Sequence, residues 1–282
     1  MKNVTFHQLI KNSYSNLSSG QKKVAEYILS HLDKAAFYTA EQIGREAVVS
    51  QTTVIRLSYA LGFNGFSEMQ ASIQQDVIGQ NLEYSKESEA SPTDTVDPFA
   101  KIIEKDITTL REMVSHLNQE DLLQAVDLLI QADQILIVGR RTSYVAAHWF
   151  ASCLSEIRDQ VIMSTDISQT LPKLLSLTER SVVFVISFPR YNHESLDLAN
   201  YAKQRGIKLI SITDHILSPF GRIADLTFTT KTHLESGSTA IASILSLLNL
   251  FLAGIKMKME GQIQSRRKQL EQLYSRFDMF LE

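Results

Sequence analysis

Residues 134–148, QILIVGRRTSYVAAH, restrict the possible folds more than any other stretch of the chain. Four β-prone apolar residues, Ile135, Leu136, Ile137 and Val138, run into Gly139. Ser143 then heads the apolar helical run Tyr144, Val145, Ala146, Ala147. That order reads as a buried parallel strand, a tight turn and a helix start. Such a turn aims backbone N–H groups and the positive end of a helix dipole at whatever lies above it, so it favours an anion. Arg140 and Arg141 reinforce that expectation. Alone, G-x-x-x-S is a weak motif that also fits a strand-to-helix loop with two solvated arginines.

The pattern recurs downstream. Strands are expected at residues 134–138, 160–163, 181–187, 208–213 and 226–229, with helices starting near Ser143, Ile167, His193 and Ser218. Alternation of this kind predicts an α/β doubly wound parallel sheet with helices on both faces. In such sheets ligands sit beyond the carboxyl ends of the strands, where the strand order reverses. Three loops meet that requirement: residues 139–143, residues 187–194 and the hydroxyl-rich residues 233–239. The candidate anion-binding residues are Gly139, Arg140, Arg141, Thr142, Ser143, Ser187, Arg190, Tyr191, Asn192, Glu235, Ser236 and Ser238. Two apolar helices precede this sheet, from Phe99 (Ile102, Ile103, Ile107, Leu110, Met113, Val114, Leu117) and over residues 121–131.

The first 78 residues predict only short helices, an all-α domain. Ser18-Ser19-Gly20-Gln21 places a capping box before Val24, Ala25, Ile28, Leu29 and Leu32, which share one helix face. Thr39-Ala40-Glu41-Gln42 places a second before Ile43 and Ala47. Val48 and Val49 make a tight turn, Ser50 caps a third helix with Val54, Leu57, Ser58 and Leu61 inward, and Gly62 ends it. Two short helices joined in this way read as a helix-turn-helix. The outward face carries Gln51, Thr52, Thr53, Arg56 and Tyr59, types that suit base edges and phosphates. Thr39 and Ser50, at the two helix starts, complete the candidate DNA-binding set. Seven Lys and Arg stand against six acids in this segment, so a lone module binds DNA weakly and an oligomer is needed to supply phosphate contacts.

Residues 24–73 resemble the N-terminal domain of the RpiR family of bacterial transcription regulators. The likeness rests on Val24-Ala25-Glu26-Tyr27-Ile28, on Ser50-x-x-Thr53-Val54-x-Arg56, and on Leu61-Gly62-Phe63 followed by Gly65-Phe66. Tyr59 and Ala60 depart from it, since family members often carry basic residues there. Residues 100–258, including ITDHILSPFGRIADLTF, are similar to the SIS (sugar isomerase) domain. The resemblance implies phosphosugar sensing, a carbohydrate-derivative ligand. Gly139 and Ser143 fall on the first Gly and the Ser of that family's G-x-G-x-S loop, while Arg141 replaces its second Gly. Ser187 falls on the first Ser of S-x-S-G-x-T, while Pro189, Arg190 and Asn192 replace the second Ser, Gly and Thr. Lost hydroxyls and gained guanidinium forks suggest a different anion, a carboxylate or a phosphate on another metabolite.

The expected organisation is a helix-turn-helix domain over residues 1–78, a polar linker over 79–98 and an effector-binding and oligomerisation domain over 99–282. Composition adds exclusions. With 44% hydrophobic residues and a net charge of −3, the chain has material for full cores and no global basicity. The single Cys153 argues against a disulfide framework and for a small core residue. No metal site or cofactor is expected. No signal peptide or membrane-length apolar run is read, so a soluble, cytoplasmic protein is expected. The expected partners are a double-stranded DNA operator, a small anionic metabolite and further copies of the chain, as a homodimer or homotetramer. Two alternatives stand beside regulation: an isomerase using His193, Glu194 or Glu235 as base, and a SIS-like dimerisation module without effector, using the helix from Phe99 or residues 261–280 (Leu270, Leu273, Phe277, Phe280).

Overall fold

Capping boxes and apolar periodicity build the first of two compact units, residues 1–95 and 96–282. The computed structural model describes residues 6–81, 98–230 and 241–280. In the first unit the helices are α1 (Phe6–Ser13), α2 (Ser19–Ser30), α3 (Leu32–Ala35), α4 (Ala40–Glu46), α5 (Gln51–Ala60) and α6 (Phe66–Asn81), with a 3₁₀ turn at Tyr14–Asn16. Ser18 and Thr39 make full capping boxes with Gln21 and Gln42, and Ser50 caps α5. The expected inward residues Val24, Ile28, Ile43, Val54 and Leu57 join Phe6, Ile10, Met69 and Ile73 in a buried core. Helix α6 runs to Asn81, past the expected domain end at 78. The rest of the linker, 82–97, lies outside the described residues.

Both helices of the central pair end with the same device. At the end of α5 the N–H of Phe63 donates to the Ser58 carbonyl and that of Gly62 to Tyr59, with Gly62 at φ +91°. At the end of α4 the N–H of Val49 donates to Gly44 and that of Val48 to Arg45, but the left-handed position is held by Val48 at φ +54°. A β-branched residue is strained there, by about 1–2 kcal/mol.

The second unit holds α7 (Pro98–His116), α8 (Gln119–Gln131), β1 (Ile135–Gly139), α9 (Ser143–Ile157), β2 (Val161–Ser164), α10 (Ile167–Ser176), β3 (Val182–Ile186), α11 (His193–Gln204), β4 (Lys208–Thr213), β5 (Leu226–Thr229), α12 (Ile241–Lys258) and α13 (Glu260–Arg276). The strands form one parallel sheet in the order β2-β1-β3-β4-β5. Alternate residues of β1 face opposite cores: Ile135 and Ile137 join α8, α9 and α12, whereas Leu136 and Val138 join α10 and α11. Phe150, Phe184 and Phe251 meet at centroid distances of 4.9–6.3 Å at the centre of the first core. Each such ring contributes roughly 2–3 kcal/mol by burial.

Two expectations are corrected. The helix expected near Ser218 is a run of turns: Ser218 Oγ accepts from the Gly221 N–H at 2.9 Å, and Gly221 tucks against Ile216, whose carbonyl oxygen would lie 2.3 Å from an added Cβ. Chain packed that closely on itself has no room for helical side chains. Helix α12, in contrast, is long and apolar enough by length and composition to cross a membrane. Here it is a core helix, with Ile244, Leu247, Leu248, Phe251 and Ile255 buried, and Ser243 accepting from Thr230 Oγ1 at 2.7 Å. Cys153 packs half-buried against this core, and burial pushes its thiol above the usual range.

Candidate functional site

The first candidate surface is the exposed face of α5. Gln51, Thr52, Arg56 and Tyr59 are all exposed, and among the described residues no group pairs with the Arg56 guanidinium. Thr53 is only half exposed: its Oγ1 lies 3.0 Å from Ser50 Oγ, and its methyl faces Gly20 of α2 at a distance that an added Cβ would reduce to 3.0 Å. Ser50 and Thr39 each accept from a first-turn N–H, Thr53 and Gln42, so both hydroxyls hold helix starts. Two positioning residues escaped the sequence reading. Gln21 Nε2 donates to the Arg56 carbonyl at 3.1 Å, tying α2 to α5. Gly44 lets α4 approach the turn, since a Cβ there would sit 3.0 Å from the Val49 oxygen. A glycine inside a seven-residue helix was the available signal.

The second surface lies where the strand order reverses. β1 leads to β2 on one side and β3 pairs with β1 on the other, so the loops after β1 and β3 leave adjacent strand ends, Gly139 beside Ile186. The structure thus brings residues 139–143 and 187–192 together. Gly139 is required by close approach: an added Cβ would lie 2.6 Å from Ala147 Cβ and 2.7 Å from the Ser143 carbonyl oxygen. Ser143 and Ser187 are nearly buried at these strand ends.

The three arginines separate into two kinds. Arg140 is occupied internally: its Nε and Nη2 donate to Glu194 Oε1 at 3.1 and 2.7 Å, Nη1 to the Ser164 carbonyl at 2.6 Å and Nη2 to Ser164 Oγ at 2.9 Å. Its side chain is 13% exposed. It is a strut joining the ends of β1 and β2 to the start of α11, not the free guanidinium expected. Arg141 and Arg190 are exposed, and among the described residues neither guanidinium has a partner. Both occupy left-handed backbone, φ +55° and +69°. These are the two positions where the sequence comparison put glycine, so the loops keep a glycine-type backbone while carrying arginine.

The neighbouring polar groups are largely engaged. Asn192 Oδ1 caps α11 by accepting from the Ser195 N–H at 2.9 Å. Tyr191 donates to Asp214 Oδ1 at 2.7 Å, and Thr213 Oγ1 donates to the same oxygen at 3.0 Å. Burial, then the Asp214 carboxylate, pushes the Tyr191 phenol above its ordinary range, so it stays neutral. Asp214, just past β4, was missed in the sequence because only the fold brings it beside Tyr191. Thr142 is exposed at the start of α9, and His193 is exposed at the start of α11. Glu235, Ser236 and Ser238 lie outside the described residues. Among the described residues no three His, Cys, Asp or Glu side chains gather as metal ligands.

Comparison with known proteins matches both surfaces to families. Residues 4–79 fit the model for the helix-turn-helix domain of the rpiR family, and residues 128–254 fit the SIS domain. The chain is 26% identical to the uncharacterised HTH-type transcriptional regulator YbbH of Bacillus subtilis over 251 residues, 88% of this chain and 87% of that protein. Two solved structures share the fold. The sugar isomerase domain of an RpiR transcription factor from Sphaerobacter thermophilus aligns at TM-score 0.60 and 22% identity, covering 62% of this chain and 98% of that one. The Vibrio vulnificus NanR protein complexed with ManNAc-6P aligns at TM-score 0.60 and 19% identity, covering 97% of this chain and all of that one. With an rpiR-family helix-turn-helix domain followed by a SIS domain, together spanning well over half of its residues, the protein belongs to the RpiR family of transcriptional regulators.

Proposed function

We propose that this regulator reads an inverted-repeat operator through Gln51, Thr52, Thr53 and Arg56 of paired α5 helices, and that its SIS domain takes a small anionic metabolite at the crevice between the loops after β1 and β3. The ligand class is a sugar phosphate or another phosphate- or carboxylate-bearing compound. One observation carries the reading: Arg141 and Arg190, both exposed and unpaired among the described residues, stand in left-handed backbone at adjacent strand ends. Strain of that kind persists where the surrounding structure and function require it, and two guanidinium forks suit an anion bidentately. The ManNAc-6P bound by NanR supports a phosphate-bearing sugar as the first candidate. The relatives named as regulators support sensing over turnover. The near-neutral reading head supports a homodimer or homotetramer, because two heads double the phosphate contacts, and the relatives named as transcriptional regulators support action in the cytoplasm.

A ligand changes operator affinity only by binding one arrangement of the reading heads better than the other. The test is operator affinity at fixed salt across a panel of sugar phosphates and carboxylates that includes ManNAc-6P. One member shifts affinity by about fivefold or more, and Arg141→Ala with Arg190→Ala removes the response while leaving ligand-free DNA binding intact. A panel without effect contradicts the reading.

A further inference from the structure

Both capping boxes of the first unit place glutamine at the third helical position, but the two glutamines do different things. Gln42 Oε1 accepts from the Thr39 N–H at 2.8 Å, and among the described residues its amide nitrogen meets no acceptor. Gln21 Oε1 accepts from the Ser18 N–H at 2.9 Å, while its Nε2 donates at 3.1 Å to the carbonyl of Arg56, 35 residues away. These two partners fix the amide's orientation, because the N–H needs the oxygen and the carbonyl needs the nitrogen. A glutamate would close the same box but has no proton to give Arg56. One position earlier, Gly20 brings the first turn of α2 onto Thr53, where an added Cβ would lie 3.0 Å from the Thr53 methyl. Thr53 and Arg56 are three residues apart and so are neighbours on α5. The first turn of α2 therefore meets α5 at two of the residues proposed above to read the operator.

We infer that Gln21 is a specificity-determining positioning residue, which holds the backbone of α5 at Arg56 and so sets where the Arg56 guanidinium meets a base pair. Val54 and Leu57 bury the inner face of α5. Apolar contact of that kind is non-directional: it resists separation of the helix from the core but resists rolling or sliding only weakly. A hydrogen bond is directional and opposes both. Position matters at Arg56 because a two-pronged contact to a base edge needs its donors placed within about 0.5 Å. Contacts to phosphates carry no sequence information, so losing the Gln21 bond lowers discrimination between sequences before it lowers affinity for DNA in general.

The inference rests on the reading of α5 proposed above, and one set of titrations separates the two. The full-length chain is titrated at matched salt with an inverted-repeat fragment that the wild type enriches from genomic DNA, and with a scrambled fragment of the same length. Gln21→Glu keeps the wild-type circular dichroism melt, weakens binding to the repeat about fivefold and leaves binding to the scrambled fragment within about twofold. Gln42→Glu, at the matching position of the other box, leaves both within about twofold. In an Arg56→Ala background Gln21→Glu has no further effect on the repeat, because the two residues act as one. Gln21→Met, neutral and of similar length, gives the same selective loss. Equal weakening on both fragments, the same loss with and without Arg56, or wild-type binding by Gln21→Met overturns the inference while leaving α5 as the reading helix. A wild type that enriches no fragment, or an Arg56→Ala chain that still prefers the repeat as the wild type does, overturns both.

Discussion

The helix-turn-helix and the strand-end crevice share caps, left-handed turns and close glycine contacts, but the crevice adds polar side-chain pairs between residues far apart in the chain. In the helix-turn-helix the capping partners are three residues apart: Ser18 with Gln21, Thr39 with Gln42, Ser50 with Thr53. In the crevice Arg140 meets Glu194 across 54 residues and Tyr191 meets Asp214 across 23. Local devices mark where the two helices start, while packing of their apolar faces supplies the stability that helices of 7 and 10 residues lack alone. The crevice acquires its chemistry only when the sheet has ordered its strands.

The largest expected effect compares two glycines. Gly139→Ala forces a Cβ to within 2.6 Å of Ala147 Cβ and destabilises by about 3 kcal/mol. Gly44→Ala meets the Val49 oxygen at 3.0 Å and costs about 1 kcal/mol, as a shift of a few tenths of an ångström relieves it. Denaturant midpoints at constant slope rank them, and the reverse order would break the comparison. Next, Arg56→Ala weakens operator binding about 10- to 100-fold, the loss of one good base contact. Arg140→Ala leaves ligand-free operator binding unchanged, because that side chain serves the crevice.

A third prediction sharpens the contrast between the turns. Arg141→Gly relieves about 1–2 kcal/mol of left-handed strain and adds about 0.5–1 kcal/mol of chain entropy. It therefore stabilises slightly while weakening the effector response. Gly62→Ala, at φ +91° with open space around it, destabilises by about 1 kcal/mol through strain alone. If Arg141→Gly instead destabilises, the arginine has a structural partner and the crevice reading weakens. The smallest effect concerns acid. Asp133 accepts from Ser181 Oγ, Thr178 Oγ1 and the Gln134 N–H at 2.6–2.7 Å, which holds its carboxyl below the usual value. Because the folded value is the lower, these bonds contribute fully above about pH 4 and are lost as pH falls through it. Asp133→Asn flattens the drop in urea midpoint between pH 7 and pH 3.

The same difference in range explains what could be read from the sequence. Caps, apolar faces and strand runs depend on neighbours within a few residues, so the helix-turn-helix and the five parallel strands were legible. The β4–β5 connection was not, because Ser218 begins a turn and a helix with the same hydrogen bond, and only the closeness of Gly221 to Ile216 decides between them. Arg140, Arg141 and Arg190 look alike in sequence. Glu194 and Ser164 capture the first, and nothing local to residue 140 announces either partner. The apolar stripe of α7 was legible as a stripe, while its division into a core-facing half at Met113 and an exposed half at Ile102 and Ile103 depends on where α12 ends up.

The most direct test of the central claim is selection of genomic fragments by the purified protein, beside Arg56→Ala, at matched salt and with metabolite extract present. Sensing by the crevice matters only if the reading head binds specific DNA. The prediction is that the wild type enriches a few fragments sharing an inverted repeat and that Arg56→Ala loses them. Equal recovery by the two proteins, or enrichment of no common sequence by either, would contradict it.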